Sequence, residues 1–253
     1  MTFIYAGYIS YRSSKKVTKL MRGNQYDAAI TIFSPEGRLY QVEYALELVK
    51  RGAPIVGIHS PEGVVLAANE TPESNLEDTS TFRKIFQIDE HVGVAIAGLS
   101  SDARVLIDKG RVFCQSNKLL YDEPADIEGL VGTLSDQIQV YTQHGGIRPF
   151  GVSLIFAGVD TTGPHLLTTD PSGSYRGYKA RALGRNAEES NKHLEENYKE
   201  DLSLDEAIKL AIETVEKGSG EKLTSAVVKL AVIPTETKSM KRLTDEVVAK
   251  YMQ

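Results

Sequence analysis

The histidines and the single cysteine are the side chains of this sequence that most often bind metals or act as nucleophiles. The histidines show no metal-ligand spacing, so we interpret all of them as surface or packing residues: His59, His91, His144, His165 and His193. Cys114 has no second cysteine to pair with, which excludes an internal disulfide and a cysteine-based zinc site. We interpret it as a small core residue and predict neither a metal nor a cofactor.

Two other segments carry groups that suit binding chemistry. Residues 218–224, GSGEKLT, are only loosely similar to a phosphate-binding loop, because the four-residue gap between glycines and the Gly-Lys-Ser/Thr run are both missing. The segment also follows a helical pattern rather than a strand, so we interpret it as a surface loop. Lys84 stands between Arg83 and Ile85, and the residues alone favour an ordinary solvated charge there.

Composition limits the possible partners. The chain has 253 residues, 41% of them hydrophobic, with 29 Lys and Arg against 34 Asp and Glu and a net charge of −5. This balance offers no electrostatic case for nucleic acid or an anionic membrane surface as the main partner. No apolar run approaches the ~20 residues needed to cross a bilayer. The sequence predicts a soluble protein in a reducing, intracellular setting, which we take to be the cytoplasm.

Periodicity predicts the elements that position these residues. Short apolar runs bounded by turn signals predict strands at 55–60, 64–69, 85–88, 92–97, 152–159, 166–169, 179–183 and 227–233. Helical spacing predicts helices over 38–51, from a Ser101 cap, over 127–141, after a Ser203 and Glu206 capping box, and after Thr244. Grouped strands separated by paired helices indicate an α+β fold of two antiparallel sheets with helices outside them.

The stretch from Tyr26 to Pro54 joins a turn, an amphipathic helix and a strand. Pro35 and Gly37 supply the turn signal, and Gly52 is the predicted end of the helix. The helix carries one apolar stripe of Leu39, Val42, Leu46 and Val49 and a second of Tyr40, Tyr44 and Leu48. A second apolar stripe, ahead of the first core strand, indicates contact with a partner subunit.

This stretch resembles the amino-terminal signature of 20S proteasome α subunits of the archaeal type. Tyr26, Asp27, 33–35 and 37–45 match that signature nearly position for position. The resemblance continues through 95–99, 102–104, 141–158 and 170–173, and it covers the chain from residue 26 onward. It implies a four-layer α-β-β-α sandwich with an extra N-terminal helix, the fold of the N-terminal nucleophile hydrolases, and a single domain over 26–253.

Residues 1–25 precede the resemblance. Aromatic residues come first in this segment and basic residues follow, which is the reverse of the order in a secretory signal. Two interpretations stay open: a flexible N-terminal arm, or an incorrectly assigned start with the biological start at Met21.

The resemblance implies a subunit without catalytic residues. Related β subunits use a threonine, freed by self-cleavage after a glycine, as both nucleophile and base, and here Gly52-Ala53 stands at that place. The acidic partner of the site corresponds to Asn69 and the serine of its Gly-rich loop to Arg185, so only Lys84 persists. The alternatives are an active threonine-type peptidase and, as a third class, a free-standing monomeric binding module.

By the same resemblance, the chain forms the outer ring of the core particle, expected to be sevenfold. This ring caps β subunits that degrade unfolded proteins, gates the passage of substrates and docks an ATPase activator.

Lys84 then has three interpretations: a catalytic relic, a binding residue or a solvated charge. The resemblance favours a pocket between α subunits that receives the activator's C-terminal hydrophobic-Tyr-any tail. Lys84 would bind the tail's carboxylate, Gly52 and Leu99 would line the pocket, and Glu43 would accept a hydrogen bond from the tail's tyrosine.

The gate is also predicted from the resemblance. Its side chains are expected to cluster between adjacent subunits when the N-terminal tails lift from the pore: Tyr26, Asp27, Pro35 and Tyr44. Ala28 departs from the Arg that is common at its place, so a salt bridge is missing from a gate of that kind. The other interpretation of Tyr26 is simply the start of an edge strand.

One loop is expected to narrow the entrance of the ring. It consists of His144, Gly145, Gly146 and Ile147. Paired glycines allow the backbone to approach a pore axis closely, and they also end helices.

Overall fold

The computed structural model describes residues 32–253 except 73, 75, 79, 80 and 82; the proposed arm at 1–25 lies outside this part. The helices are α1 Tyr40–Arg51, α2 Ser100–Tyr121, α3 Ile127–Tyr141, α4 Ala187–Asn197, α5 Leu204–Ser219 and α6 Asp245–Tyr251. The strands are β1 Ile55–Ser60, β2 Gly63–Asn69, β3 Ile85–Asp89, β4 Val92–Gly98, β5 Val152–Val159, β6 Pro164–Thr169, β7 Tyr175–Gly177, β8 Ala180–Leu183, β9 Val228–Pro234 and β10 Lys241–Arg242.

The strands form two five-stranded antiparallel sheets. Their orders are β10-β9-β2-β1-β8 and β3-β4-β5-β6-β7. In the first sheet Ile55 of β1 pairs with Ala68 of β2, and in the second Val92 of β4 pairs with Gly158 of β5. The two antiparallel sheets and the hairpins predicted from the sequence are confirmed.

Three apolar layers show how the sheets and helices stack. Ile55 of β1 and Ile155 of β5 lie in the layer between the two sheets. The next residue of β1, Val56, lies in the layer shared with α4, α5 and α6. Phe156 of β5 lies in the layer shared with α2 and α3. Because successive side chains of a strand point to opposite faces, this alternation gives the expected α-β-β-α sandwich.

Helix α1 precedes the sandwich and lies against β4 and β5. Its buried residues are Val42, Ala45 and Val49, so Ala45 rather than Leu46 completes the buried stripe. The predicted second stripe is divided. Tyr44 is 51% exposed, whereas Leu48 packs against the backbone at Gly151, where an added Cβ would lie 2.8 Å from Leu48 Cδ2. The exposed part of the second stripe is therefore the part around Tyr44.

Two helix starts differ from the sequence prediction. Helix α2 begins at Ser100 with Leu99 at its N-cap position, so the prediction of a Ser101 cap is wrong. The chain passes from β4 into α2 with a single residue between them, which leaves no loop for a polar cap. Thr244 does occupy the N-cap position of α6, but its side chain makes no capping hydrogen bond. The Ser203 and Glu206 capping box of α5 is confirmed.

The sequence does not predict α4, β7 or β10. In α4 only Ser190 and Leu194 are buried, so the helix lacks the apolar stripe on which such a prediction depends. The two short strands lie at sheet edges and are exposed, so neither has an alternating pattern. Among the described helices, none is both long and apolar enough for a membrane span.

Candidate functional site

A cleft of about 470 Å³ lies where α1 leads into β1 and β4 leads into α2. Its lining brings together residues from separate parts of the sequence. They include three of the four residues predicted for tail binding and the positions that the resemblance aligns with catalytic residues of β subunits: Gly52, Ala53, Asn69, Lys84, Leu99 and Arg185. Gly52, Lys84 and Leu99, predicted for tail binding, therefore share one cleft with the positions aligned with the catalytic site.

Close backbone contacts build one wall of this cleft. The Arg185 N–H donates to the Gly52 carbonyl oxygen at 2.8 Å. A Cβ added to Gly52 would lie 2.9 Å from the Gly98 nitrogen, which is too close. The α1–β1 and β4–α2 connections can therefore approach each other this closely only with glycine at residue 52. Gly184 has φ +98°, and a Cβ there would lie 2.8 Å from the Ala53 and Gly52 carbonyl oxygens. The predicted importance of Gly52 thus has a steric cause.

Ala53, which the resemblance aligns with the nucleophile of β subunits, lines the cleft. Its side chain is a methyl group, which cannot attack a carbonyl. Its nitrogen belongs to the peptide bond with Gly52, which follows directly on α1, so it is an amide and has no basic lone pair. Both functions that an N-terminal threonine supplies, hydroxyl and amine, are therefore missing at residue 53.

Asn69, at the end of β2, has a structural role in the cleft wall. Its Nδ2 donates to Ser219 Oγ at 2.9 Å, and its Oδ1 accepts from the Thr71 backbone N–H at 2.9 Å and from the Thr71 hydroxyl at 2.5 Å. These bonds join the end of β2 to the end of α5. A neutral amide held in this way cannot act as the acidic partner of a catalytic site.

Lys84 lies just before β3 and is only 6% exposed, so the interpretation as an ordinary solvated charge is wrong. Its N–H donates to Glu70 Oε1 at 2.5 Å, and its carbonyl accepts from the Ile96 N–H at 2.9 Å. Burial lowers the pKa of the Lys84 ammonium, the Glu70 carboxylate opposes that effect, and the positive charge of Arg185 adds to it. A buried amine in a cleft with a shifted pKa is typical of a functional site.

Glu43 lies away from this lining, on α1. Arg38 Nε donates to Glu43 Oε1 at 2.8 Å, and Arg38 Nη2 also contacts this carboxylate. The hydrogen bond from Arg38 lowers the pKa of Glu43. Within one subunit Glu43 is thus engaged with Arg38, and its contact with the tyrosine of a tail stays a prediction.

The predicted gate is only partly described. Tyr26 and Asp27 lie outside the described residues, as does Ala28. The turn around Pro35 is present, with the Gly37 N–H donating to the Ser34 carbonyl at 2.8 Å and Gly37 at φ +76°. Pro35 itself is exposed. The clustering of these residues between subunits stays a prediction.

The predicted pore loop is exposed and follows α3. All four residues, His144, Gly145, Gly146 and Ile147, are exposed. His144 Nδ1 lies 2.8 Å from the Val140 carbonyl oxygen, and Gly146 has φ +82°, so the loop turns sharply as the helix ends. Its position relative to a pore stays a prediction.

The sequence prediction missed an ion pair made by the residue that directly follows the predicted pore loop. Arg148 donates to both Asp102 oxygens, at 2.6 and 2.8 Å, and the Gly151 N–H donates to Asp102 Oδ2 at 2.8 Å. Burial acts to raise the pKa of Asp102, but the bonds from Arg148 and Gly151 outweigh it and lower the pKa. The residues are 46 positions apart, so local spacing carries no signal for the pair.

Cys114 and His91 have packing roles in the described structure. Cys114 is buried, and burial, with a smaller effect of Asp89, raises the pKa of its thiol to about 12, so the prediction of a small core residue is confirmed. His91 is 4% exposed, with Nε2 2.8 Å from the Ala125 carbonyl oxygen. Within the described residues, no group of three or more His, Cys, Asp or Glu side chains is arranged to hold a metal.

Comparison with known proteins agrees with the resemblance found in the sequence. The family profile of proteasome subunits matches residues 49–233, and the profile of the N-terminal signature of A-type proteasome subunits matches residues 26–47. The chain is 45% identical to the proteasome alpha subunit of Methanothermobacter thermautotrophicus, covering 90% of this chain and 92% of that one.

Two further relatives agree. The proteasome alpha subunit of Haloquadratum walsbyi is 47% identical, over 90% of this chain and 91% of its own length. That of Saccharolobus islandicus is 45% identical, over 90% and 95%. The chain belongs to the proteasome subunit family, on the branch that carries the α-type N-terminal signature.

Proposed function

We propose that the chain is a non-catalytic subunit of the outer α ring of the 20S proteasome core particle. Its role is to assemble with other α subunits and with β subunits, to gate the passage of unfolded proteins and to dock an ATPase activator. Residues 26–253 act as one domain in this proposal, because both sheets share a single apolar layer. The single cysteine fits a reducing cytoplasm.

The observation that carries the proposal is Ala53 in the cleft. A methyl side chain and an amide nitrogen occupy the place where hydrolysis needs a hydroxyl and an amine. Peptide hydrolysis is then the work of separate β subunits. An active threonine-type peptidase would require removal of α1, yet α1 packs its Val42, Ala45 and Val49 into the fold.

The retained lysine supports activator docking. Lys84 combines burial, a lowered pKa and a place beside Gly52 and Leu99 in an open cleft. A cation in such a site suits the terminal carboxylate of a peptide tail, because charge-assisted hydrogen bonds strengthen as water is excluded. Glu43 would reach the tail's tyrosine from a neighbouring subunit, and Tyr26, Asp27, Pro35 and Tyr44 would hold the gate open.

Purification of the chain with and without its β partner tests this function. We expect the chain alone to elute as a ring, with an intact mass that shows no cleavage before residue 53, and to leave fluorogenic peptides uncut. Co-assembly with β subunits should give a larger particle that cleaves those peptides. A monomer on sizing would contradict ring assembly. Cleavage by the chain alone, abolished by a threonine-directed inhibitor, would contradict the non-catalytic role.

A further inference from the structure

A second cleft, of about 370 Å³, lies at the opposite end of the second sheet from α1. His91, just before β4, and Val159, at the end of β5, line it, whereas α1 contacts the other ends of the same two strands, at Gly98 and Gly151. The lining has two ammonium groups and five carboxylates, which are those of Asp89, Glu90, Glu123, Asp126 and Asp160. We call it the acidic cleft, because negative charge is in excess there.

Three of the five carboxylates have hydrogen-bond partners within the chain. Asp160 is 7% exposed and accepts the Ile127 N–H at the start of α3 at 3.2 Å. Asp126 caps the same helix by accepting the Gly129 N–H at 2.7 Å. Asp89 Oδ1 accepts the backbone N–H of the next residue at 2.8 Å. These three carboxylates therefore stabilise the wall of the acidic cleft.

The other two carboxylates, Glu90 and Glu123, are exposed. Among the residues that the structure describes, neither side chain has a hydrogen bond or an ion pair. The backbone at Glu123 is held, because Asn117 Nδ2 donates to its carbonyl oxygen at 3.0 Å. Of the two lining lysines, Lys238 donates to the Asp160 carbonyl oxygen at 2.8 Å. Glu90 and Glu123 are therefore available to a cation from another molecule.

Exposed apolar side chains lie directly beside the acidic cleft. Asn117 and Lys118 of α2 line the cleft, and the three residues that follow them are 87%, 72% and 67% exposed: Leu119, Leu120 and Tyr121. Basic and large apolar side chains together often anchor protein interfaces. A surface that complements both features carries a basic side chain with apolar neighbours.

We propose that this surface docks a β subunit, with an arginine or lysine of that subunit paired with Glu90 and Glu123 and its apolar neighbours covering the end of α2. The inference rests on assembly with β subunits, as proposed above. A ring contact through α1 uses the other end of the sheet, which leaves this end for a different kind of subunit. Charge complementarity in the acidic cleft fixes the register of the contact.

Removing or reversing the two available charges tests the docking. Glu90→Gln with Glu123→Gln keeps the side-chain shapes, and this double variant should bind β subunits about three- to tenfold more weakly than the native chain at low salt. Glu90→Lys with Glu123→Lys should bind still more weakly, because like charges would meet. Titration of the labelled chain with purified β subunits, followed by analytical ultracentrifugation, measures the affinities. The differences should narrow in high salt, because ions screen exposed charges.

The matched control removes the same charge from the other side of the sandwich. Glu188→Gln with Glu195→Gln changes two exposed positions of α4, which packs against β8 of the first sheet. This control should bind β subunits as the native chain does. Circular dichroism shows whether each variant is folded, and sizing of each chain alone shows whether it still assembles with itself.

A charge-reversal screen in the β subunit tests the direct pairing. Its exposed lysines and arginines are changed to glutamate one at a time, and each product is mixed with the chain that carries Glu90→Lys and Glu123→Lys. We expect one of these changes to restore assembly, because it recreates an opposite-charge pair. Restoration by none of them would overturn the pairing of a basic side chain with the acidic cleft.

The outcomes separate this inference from the proposed function. Equal affinities of the native, neutral and reversed chains for β subunits overturn the inference but leave assembly intact. Loss of self-assembly by the reversed chain alone assigns the surface to a second copy of the chain and also overturns it. Failure of the native chain to bind β subunits overturns the proposed function, and the inference with it.

Discussion

At Lys84, burial and charge are in conflict. Burying an ammonium group is costly unless other groups compensate it, and Lys84 is 6% exposed with the Glu70 carboxylate beside it. Lys84 shares its cleft with Ala53, whose methyl group cannot act as a nucleophile, so the role that we propose for the lysine is binding rather than catalysis.

Loss of the Lys84 charge should weaken tail binding. A charge-assisted hydrogen bond contributes about 1.5–3 kcal/mol, so Lys84→Ala should reduce the affinity for an activator tail about ten- to hundredfold. The ratio of stimulated to unstimulated peptide cleavage by the α-β particle measures the effect. Lys192→Ala, at an exposed position on α4, should keep the native ratio. Full stimulation of the Lys84→Ala particle would contradict the binding role.

Tail binding should also fall at alkaline pH. Burial lowers the pKa of Lys84, so the ammonium needed for binding is present below that pKa and is lost as the pH rises through it. An ordinary lysine would keep its charge to a pKa of about 10.4. Binding curves measured between neutral pH and pH ~10 check this. Lys84→Arg keeps its charge throughout, so equally steep pH dependence in that variant would refute the assignment to Lys84.

Single residues were predictable from the sequence to different degrees. The sequence alone aligns Gly52, Ala53, Asn69 and Lys84 with positions of the resembled family. The structure brings these four residues to one cleft. The charge environment of this cleft was not predictable, because Arg51, Arg83 and Arg185, which also line it, come from separate segments that only the fold brings together.

At the scale of elements, the Asp102 and Arg148 pair joins the first turn of α2 to the segment before β5. Asp102 is 8% exposed and accepts three hydrogen bonds, two from Arg148 and one from the Gly151 N–H. The pair therefore fixes the chain that follows the predicted pore loop. Loop position and domain stability should both depend on it.

Removing the charge of Asp102 should destabilise the fold. Asp102→Asn should lower the free energy of unfolding by about 1.5–3 kcal/mol at pH 7. Asp108→Asn on the same helix removes a 60% exposed carboxylate and should change stability by no more than about 0.5 kcal/mol. Urea titrations at one protein concentration measure both variants. A loss no larger than that of the control would show that the pair contributes little.

The effect of Asp102 should depend on pH in a defined direction. Its folded-state pKa lies below the usual value, so its contribution is present above the unfolded pKa of about 3.9 and is lost as the pH falls through the folded pKa. The difference between native protein and Asp102→Asn should therefore shrink in acid. A difference that stays constant down to the lowest pH at which the protein folds would contradict this assignment.

Periodicity predicts the elements with buried stripes and misses those without them. Helices α1, α3 and α5 and the central strands each bury a regular set of residues, which the sequence shows directly. Helix α4 buries only Ser190 and Leu194, so the sequence contains no apolar stripe from which this helix could be predicted. Ser101 is not the cap because a single residue, Leu99, joins β4 to α2. This short connection sets the start of the helix at Ser100, whatever the local capping preference.

At the scale of the whole molecule, apolar side chains exposed near the end of α2 indicate a subunit contact. Leu119 is 87% exposed, Leu120 72%, Tyr121 67% and Val112 61%. Leu119, Leu120 and Tyr121 are consecutive, and clustered exposed apolar residues are typical of protein interfaces. In a subunit of a larger particle they are expected to be covered on assembly.

Charges placed in this patch should block assembly without unfolding the subunit. The double variant Leu119→Glu with Leu120→Glu should fold normally, because both positions are exposed, yet fail to co-elute with the other proteasome subunits, because an interface would bury unpaired carboxylates. Gln115→Glu adds a charge at an exposed position of the same helix and should assemble. Size-exclusion chromatography with circular dichroism distinguishes the two variants. Normal co-elution of the double variant would show that the patch is not an interface.

The unbroken peptide between Gly52 and Ala53 has a consequence for evolution. A point mutation that changed Ala53 to threonine would restore a hydroxyl but not the amine, which would remain acylated by the helix ahead of it. Gain of activity would require at least one further, independent event that severs the chain there. Because independent changes coincide far less often than one change occurs, a subunit built in this way does not readily acquire a nucleophile by mutation.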